Sequence, residues 1–143
     1  MRVSTKGRYA LRLMLDLAVY NTGTPVSLRD IAKRQGISEK YLEQIISILN
    51  KAGLVRSIRG AQGGYILNVL PDKCTVGMIL RLTEGDLAPV DCVSQNGEEC
   101  DRAVSCVTAK IWKQVHDAVN EVIDNITLED MVGWQSEGGE VDL

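Results

Sequence analysis

Residues 27–53 read Ser27-Leu-Arg-Asp-Ile-Ala-Lys-Arg-Gln-Gly36-Ile-Ser38-Glu-Lys-Tyr-Leu-Glu-Gln-Ile-Ile-Ser-Ile-Leu-Asn-Lys-Ala-Gly53, and this stretch decides the fold. Ser27-Leu-Arg-Asp30 approximates a capping box, Ile31 and Ala32 supply a buried side, and Gly36 closes a short helix. A second helix begins at Ser38. In it Tyr41, Leu42, Ile45, Ile48, Leu49 and Ala52 share an apolar face, and Gly53 ends it. The pattern is helix, short turn, helix.

Working outward, Leu54-Val-Arg-Ser-Ile-Arg59 and Tyr65-Ile-Leu-Asn-Val69 are short β-branched segments separated by Gly60-Ala-Gln-Gly-Gly64, which predicts a hairpin with a glycine-rich tip. Upstream, Ser4 caps a helix on which Leu11, Met14, Leu15, Ala18 and Val19 recur, running to about Tyr20 before Asn21-Thr-Gly-Thr-Pro25. Downstream, Thr75 caps a fourth helix through about Glu84. Residues 85–102 are polar and acidic with little periodicity. Residues 103–126 form the longest predicted helix, with Val104, Val107, Ile111, Val115, Ala118 and Val122 in a stripe that Trp112, Val119 and Ile123 widen. Thr127-Leu-Glu-Asp130 caps a last helix near residues 131–134. The predicted class is mainly α with a small β-hairpin wing. A winged helix-turn-helix occupies 1–84, a cysteine-bearing loop 85–102, the long and terminal helices 103–134, and a flexible tail 135–143.

At 143 residues the chain fits one domain. Its 45% hydrophobic and 24% charged residues exclude wholesale disorder and a fibrous chain. No apolar run approaches the ~20 residues of a membrane span, and the first residues do not read as a signal peptide, so a cytoplasmic protein with no membrane partner is expected. The net charge of −3 hides an asymmetry: residues 1–70 carry 11 Lys+Arg against 4 Asp+Glu (+7), and residues 71–143 carry 5 against 15 (−10). A basic front half is suited to a polyanion.

A helix-turn-helix followed at once by a two-stranded wing can place its second helix in a DNA major groove, about 12 Å wide. Glu39, Lys40, Glu43, Gln44, Ser47 and Asn50 lie opposite the apolar stripe. There Gln44 suits adenine, and Glu43 suits the amino group of cytosine. Arg59, with the glycines that permit close approach, suits a phosphate or minor-groove contact. The candidate contacts to double-stranded DNA are Ser38, Lys40, Tyr41, Glu43, Gln44, Ser47, Arg59, Gly60, Gly63 and Gly64. The glycine-rich tip lacks the Lys and Ser/Thr of a nucleotide-binding loop and opens no helix.

Four cysteines, Cys74, Cys92, Cys100 and Cys106, all fall in the acidic half. In a reducing compartment the last three suit a metal or redox site better than a disulfide framework. Cys74, just ahead of a helix, reads as a small core residue. A thiol enzyme is disfavoured, because Asp91, Glu98, Glu99 and Asp101 crowd the thiols and oppose thiolate formation. No enzymatic activity and no small-molecule substrate are expected.

Four motifs together resemble the IscR, NsrR and CymR family of bacterial winged-helix repressors, most closely its IscR members. They are Ser4-Thr-Lys-Gly-Arg-Tyr-Ala-Leu-Arg12, Ile37-Ser-Glu-Lys-Tyr-Leu-Glu-Gln44, Arg59-Gly-Ala-Gln-Gly-Gly-Tyr65 and Asn125-Ile-Thr-Leu-Glu-Asp130. The resemblance covers residues 1 to about 134. It implies a homodimer joined through the long helix, a repressor on a pseudo-palindromic operator, and an iron-sulfur cluster of the 2Fe-2S type on Cys92, Cys100 and Cys106, which makes 85–102 a cluster-binding loop.

Two departures from the family pattern stand out. Ala109 occupies the place, three residues after the third cysteine, where IscR-like proteins carry histidine, and Lys6-Gly-Arg-Tyr9 offers no match to the carboxylate of NsrR-like proteins. The fourth ligand is therefore unidentified, with Cys74, Asp101, His116 or an external ligand as candidates. His116, the single histidine, reads as a surface residue. The alternative is a clusterless, CymR-like repressor of cysteine or sulfur metabolism, controlled by a protein partner or by thiol oxidation.

Overall fold

The computed structural model describes residues 2–138 and contains six α-helices and one hairpin. These are α1 (Thr5–Val19), α2 (Leu28–Gln35), α3 (Glu39–Lys51), β1 (Val55–Ile58), β2 (Gly64–Leu67), α4 (Val76–Glu84), α5 (Val107–Asp124) and α6 (Leu128–Ser136), with 3₁₀ turns at Pro71–Lys73 and Asp91–Val93. The helix starts are fixed by side-chain caps. Ser4, Ser27, Ser38, Thr75 and Thr127 each accept a hydrogen bond from a first-turn backbone N–H, satisfying donors that the helix itself leaves open. At Thr127 the box is complete, since Asp130 accepts in turn from the Thr127 N–H. Gly36 ends α2 with φ +63°, a left-handed conformation that costs glycine nothing.

Helix α3 buries Leu42, Ile45, Ile46 and Leu49 against Leu13, Met14 and Leu17 of α1 and Ile31 of α2 in one continuous core. Each such side chain contributes about 1.5–3 kcal/mol by leaving water. The expected face is displaced slightly: Ile46 is buried where Ile48 is half-buried and Ala52 exposed. The hairpin pairs Val55 with Leu67 and Ile58 with Gly64 in antiparallel register, and Val26 bridges to Tyr65 as a third short edge. Leu128 of α6 is fully buried in the same core, so the end of the chain closes on its beginning. A smaller cluster of Val76, Leu80 and Leu87 joins α4 to Ile123 and Ile126.

Helices α5 and α6 each differ from the sequence reading at both ends, α5 ending at Asp124 where residue 126 was expected. Helix α5 starts at Val107 and not at residue 103, because residues 101–105 form consecutive turns in which Ala103 N–H bonds to Cys100 O and Ser105 N–H to Arg102 O. Val104, counted in the stripe, projects wholly into solvent. Helix α6 extends from Leu128 to Ser136, longer at both ends than expected and including Gln135 and Ser136 of the expected tail; residues 139–143 of that tail lie outside the described residues.

Candidate nucleic-acid interface and cysteine loop

On α3 the buried positions leave the opposite side free, and Lys40, Glu43, Gln44 and Ser47 stand there exposed, at i, i+3, i+4 and i+7, with Glu39 and Asn50 beside them. The spacing makes one outward polar stripe of a cation, a carboxylate, an amide and a hydroxyl, the groups that read base edges. Ser38 is engaged differently: its hydroxyl accepts from Tyr41 N–H at 3.1 Å and caps the helix. Tyr41 is half-buried, its ring edge-on to Tyr9 at 5.7 Å, so it faces α1 rather than outward.

At the wing Arg59 and Gly60 are exposed, while Gly63 and Gly64 are half-buried. A Cβ on Gly64 would sit 2.4 Å from the Val26 carbonyl oxygen, and one on Gly63 would meet the Ile58 carbonyl, so both glycines serve the closure of the hairpin. Arg29 and Lys33 on α2 and Arg56 on β1 are further exposed cations that the sequence reading counted without singling out. Arg34 is not free, since Asp16 accepts two hydrogen bonds from it.

The cysteines divide as expected. Cys74 is fully buried, and burial pushes its thiol up to about 11. Cys92 and Cys100 are exposed and Cys106 is partly so. Cys106 is the N-cap of α5; the Thr108 hydroxyl, 3.2 Å from its Sγ, and then the Ala109 N–H hold its thiol below the usual range. Cys92 lies between two open hollows. One of about 440 Å³ is shared with Cys106, Ala109, Lys110 and Lys113, and one of about 530 Å³ with Cys100, Glu98 and Glu99. Among the described residues the three thiols do not converge on one metal-binding group.

Asp86 holds the start of this loop. It accepts from Ser94 Oγ at 2.6 Å, Gln95 N–H at 2.9 Å and Ala88 N–H at 3.1 Å, and the Ser94 bond above all holds its carboxyl below the usual range. His116, expected at the surface, is 8% exposed and lies 3.6 Å from Asp86 through Nε2. Asp86 lies 30 positions back in the chain, a contact that periodicity does not register. Arg81 donates to Asn120 Oδ1, leaving Asn120 Nδ2 to donate to His116 Nε2. A neutral His116 then carries its proton on Nδ1, which is buried and, among the described residues, without a partner.

Over residues 3–133 the chain matches the Rrf2 family, described as an iron-dependent transcriptional regulator. It is 46% identical over 134 residues to the HTH-type transcriptional regulator CymR of Bacillus subtilis (strain 168), covering 94% of this chain and 91% of that relative. It is 41% identical over 132 residues to the HTH-type transcriptional regulator IscR of Pectobacterium atrosepticum, covering 92% and 79%. The solved structure of T. potens IscR superposes with a TM-score of 0.80 at 45% identity, covering 100% of this chain and 94% of that one. Among the described residues no helix is long and apolar enough to cross a membrane. With its capped helix-turn-helix, outward polar stripe and wing, the chain belongs to the Rrf2 family of DNA-binding transcriptional regulators.

Proposed function

We propose that two copies of the chain pair through α5, bind a pseudo-palindromic operator as a repressor, and report the state of an iron-sulfur cluster of 2Fe-2S type held by Cys92, Cys100 and Cys106. The observation that carries this reading is the position of α5. Its N-cap is Cys106, while Val107, Ile111, Val115 and Val122 stand uncovered along its length, so the thiol loop and the uncovered apolar stripe meet on one element. On DNA, Lys40, Glu43, Gln44 and Ser47 read the major groove, and Arg59 and Gly60 grip the backbone; Ser38, Tyr41, Gly63 and Gly64 set the shape of those surfaces.

The donor set suits a cluster chemically. Thiolates are the ordinary ligands of iron-sulfur centres, and Cys106 already has N–H and O–H donors favouring its thiolate. When bound, the cluster supplies a one-electron and oxygen-sensitive centre. Cys74 and His116 are both buried within the protomer, Cys74 in the core and His116 against Asn120 and Asp86, which leaves a loop carboxylate such as Asp101 or an external ligand for the fourth position.

The test is iron and sulfide content together with the visible spectrum of protein prepared without oxygen. Stoichiometric iron and sulfide, lost on Cys→Ala at any of the three positions, is expected; a triple variant with wild-type iron and spectrum would overturn the ligand assignment. The second reading, a clusterless regulator that responds through thiol oxidation or a protein partner, is favoured by the separation of the thiols into two hollows. Iron-free protein that still binds its operator would establish it.

A further inference from the structure

Asp16 is 2% exposed and is the one acidic side chain buried among the described residues. It sits on the face of α1 that carries Leu13, Met14 and Leu17, where an apolar residue would be the ordinary choice. Its carboxylate is met by a fork from α2: Arg34 Nε donates to Oδ2 at 3.0 Å and Nη2 to Oδ1 at 2.7 Å. Gln35 Nε2 adds a third bond at 3.1 Å. The far side of the Arg34 guanidinium is covered by the Tyr20 ring, 3.9 Å away.

The network continues toward α3. Arg12, one turn before Asp16, donates to Gln35 Oε1 at 3.2 Å and to the Gln35 carbonyl, and lies over the Tyr9 ring at 5.4 Å. Tyr9 in turn meets Tyr41 on the first turn of α3. Tyr9, Arg12 and Asp16 are at i, i+3 and i+7, so one stripe of α1 grips the last turn of α2 and the first turn of α3 on either side of the connecting turn.

We infer that Asp16 is a positioning residue for DNA readout: its bidentate bond to Arg34 fixes the angle between α1 and α2, and, through the short turn that joins α2 to α3 and the Tyr9–Tyr41 contact, the placement of Lys40, Glu43, Gln44 and Ser47. An ion pair with its carboxylate buried and its guanidinium partly in solvent adds little net stability compared with an apolar pair of the same volume. What a planar fork supplies is direction, since both N–H···O bonds hold only in one relative orientation of the two helices. The charge of Arg34 is spent on Asp16, so Arg34 acts on DNA affinity through geometry and not by contacting phosphate.

The experiment uses the full chain and two duplexes: the tightest binder that the wild-type protein selects from a randomised pool, and a shuffled duplex of the same composition. Asp16→Asn keeps the shape and removes the charge; Arg34→Lys keeps the charge and removes the fork. Each should lose about tenfold affinity for the selected duplex, the scale of one mismatched base pair, with binding to the shuffled duplex and the log-log salt slope unchanged. The double variant Asp16→Leu/Arg34→Met should recover thermal stability without recovering selectivity. Wild-type selectivity in any of these folded variants, or equal loss on both duplexes, would overturn the inference.

Discussion

Cys74 and Asp86 bring two opposite shifts to the same chain. The Cys74 thiol is raised by burial from 9.0 to about 11, so the folded state favours the protonated form. That stabilisation is complete below about pH 9 and is lost as the pH rises toward 11; the melting temperature should fall over this window, and less steeply in Cys74→Ala. At pH 8 a water-soluble disulfide reagent should modify Cys92, Cys100 and Cys106 in the native protein and reach Cys74 only on unfolding. Asp86 has the reverse sign. Its carboxyl is lowered below 3.8, so its contribution is present above that value and lost as the pH falls through the lower folded one. Asp86→Asn should therefore free the Ser94 and Gln95 contacts at neutral pH, seen as faster amide exchange at Gln95. Of these residues the sequence made Cys74 legible as core, and it misplaced His116. Asp16 was equally hidden: its partner Arg34 is 18 positions away, and the visible signal was a lone carboxylate on an apolar stripe.

At the scale of elements, the capped helices and the hairpin were legible because local chemistry settles them, a hydroxyl at each start and a glycine at the turns. The beginning of α5 was not, since Val104 continues the helical spacing into residues that the Cys100 and Arg102 carbonyls fold into turns. Periodicity reports which side chains are apolar, not where the backbone turns. Among the described residues, His116 is the one side chain of α5 that is buried in its own protomer, with Ile123 partly covered. Ile111→Glu or Val115→Glu should therefore abolish dimer and operator binding together, with the protomer still folded. A dimer that persists by light scattering at micromolar concentration would contradict the assigned interface.

For the whole molecule, the charge division was visible in the sequence and the core's closure was not. Leu128 joins the first core through pairing of Thr127 with Thr75, a contact across 52 positions of the chain that no local pattern announces. The basic front half makes binding to DNA a matter of counterion release, so affinity for a selected operator should fall with salt with a log-log slope of several units. Arg59→Ala should weaken binding to all duplexes and lower that slope by about one unit, whereas Gln44→Ala should shift preference among duplexes at constant slope.

The bonds around Thr127 also decide how α5 can move. Its C-terminal end is pinned, with Val76 N–H on Ile126 O, Leu128 N–H on Cys74 O, and Arg81 gripping Asp124 in a fork. Toward its other end the contacts run to the cysteine loop, with His116 lying 3.6 Å from Asp86. An 18-residue helix is a rod of about 27 Å, and a rod pivoted at one end converts displacement at the other into angle. A shift of about 2 Å at Cys106 tilts the rod by about 4°, and two such rods crossing in a dimer would pass that tilt to both DNA-reading lobes.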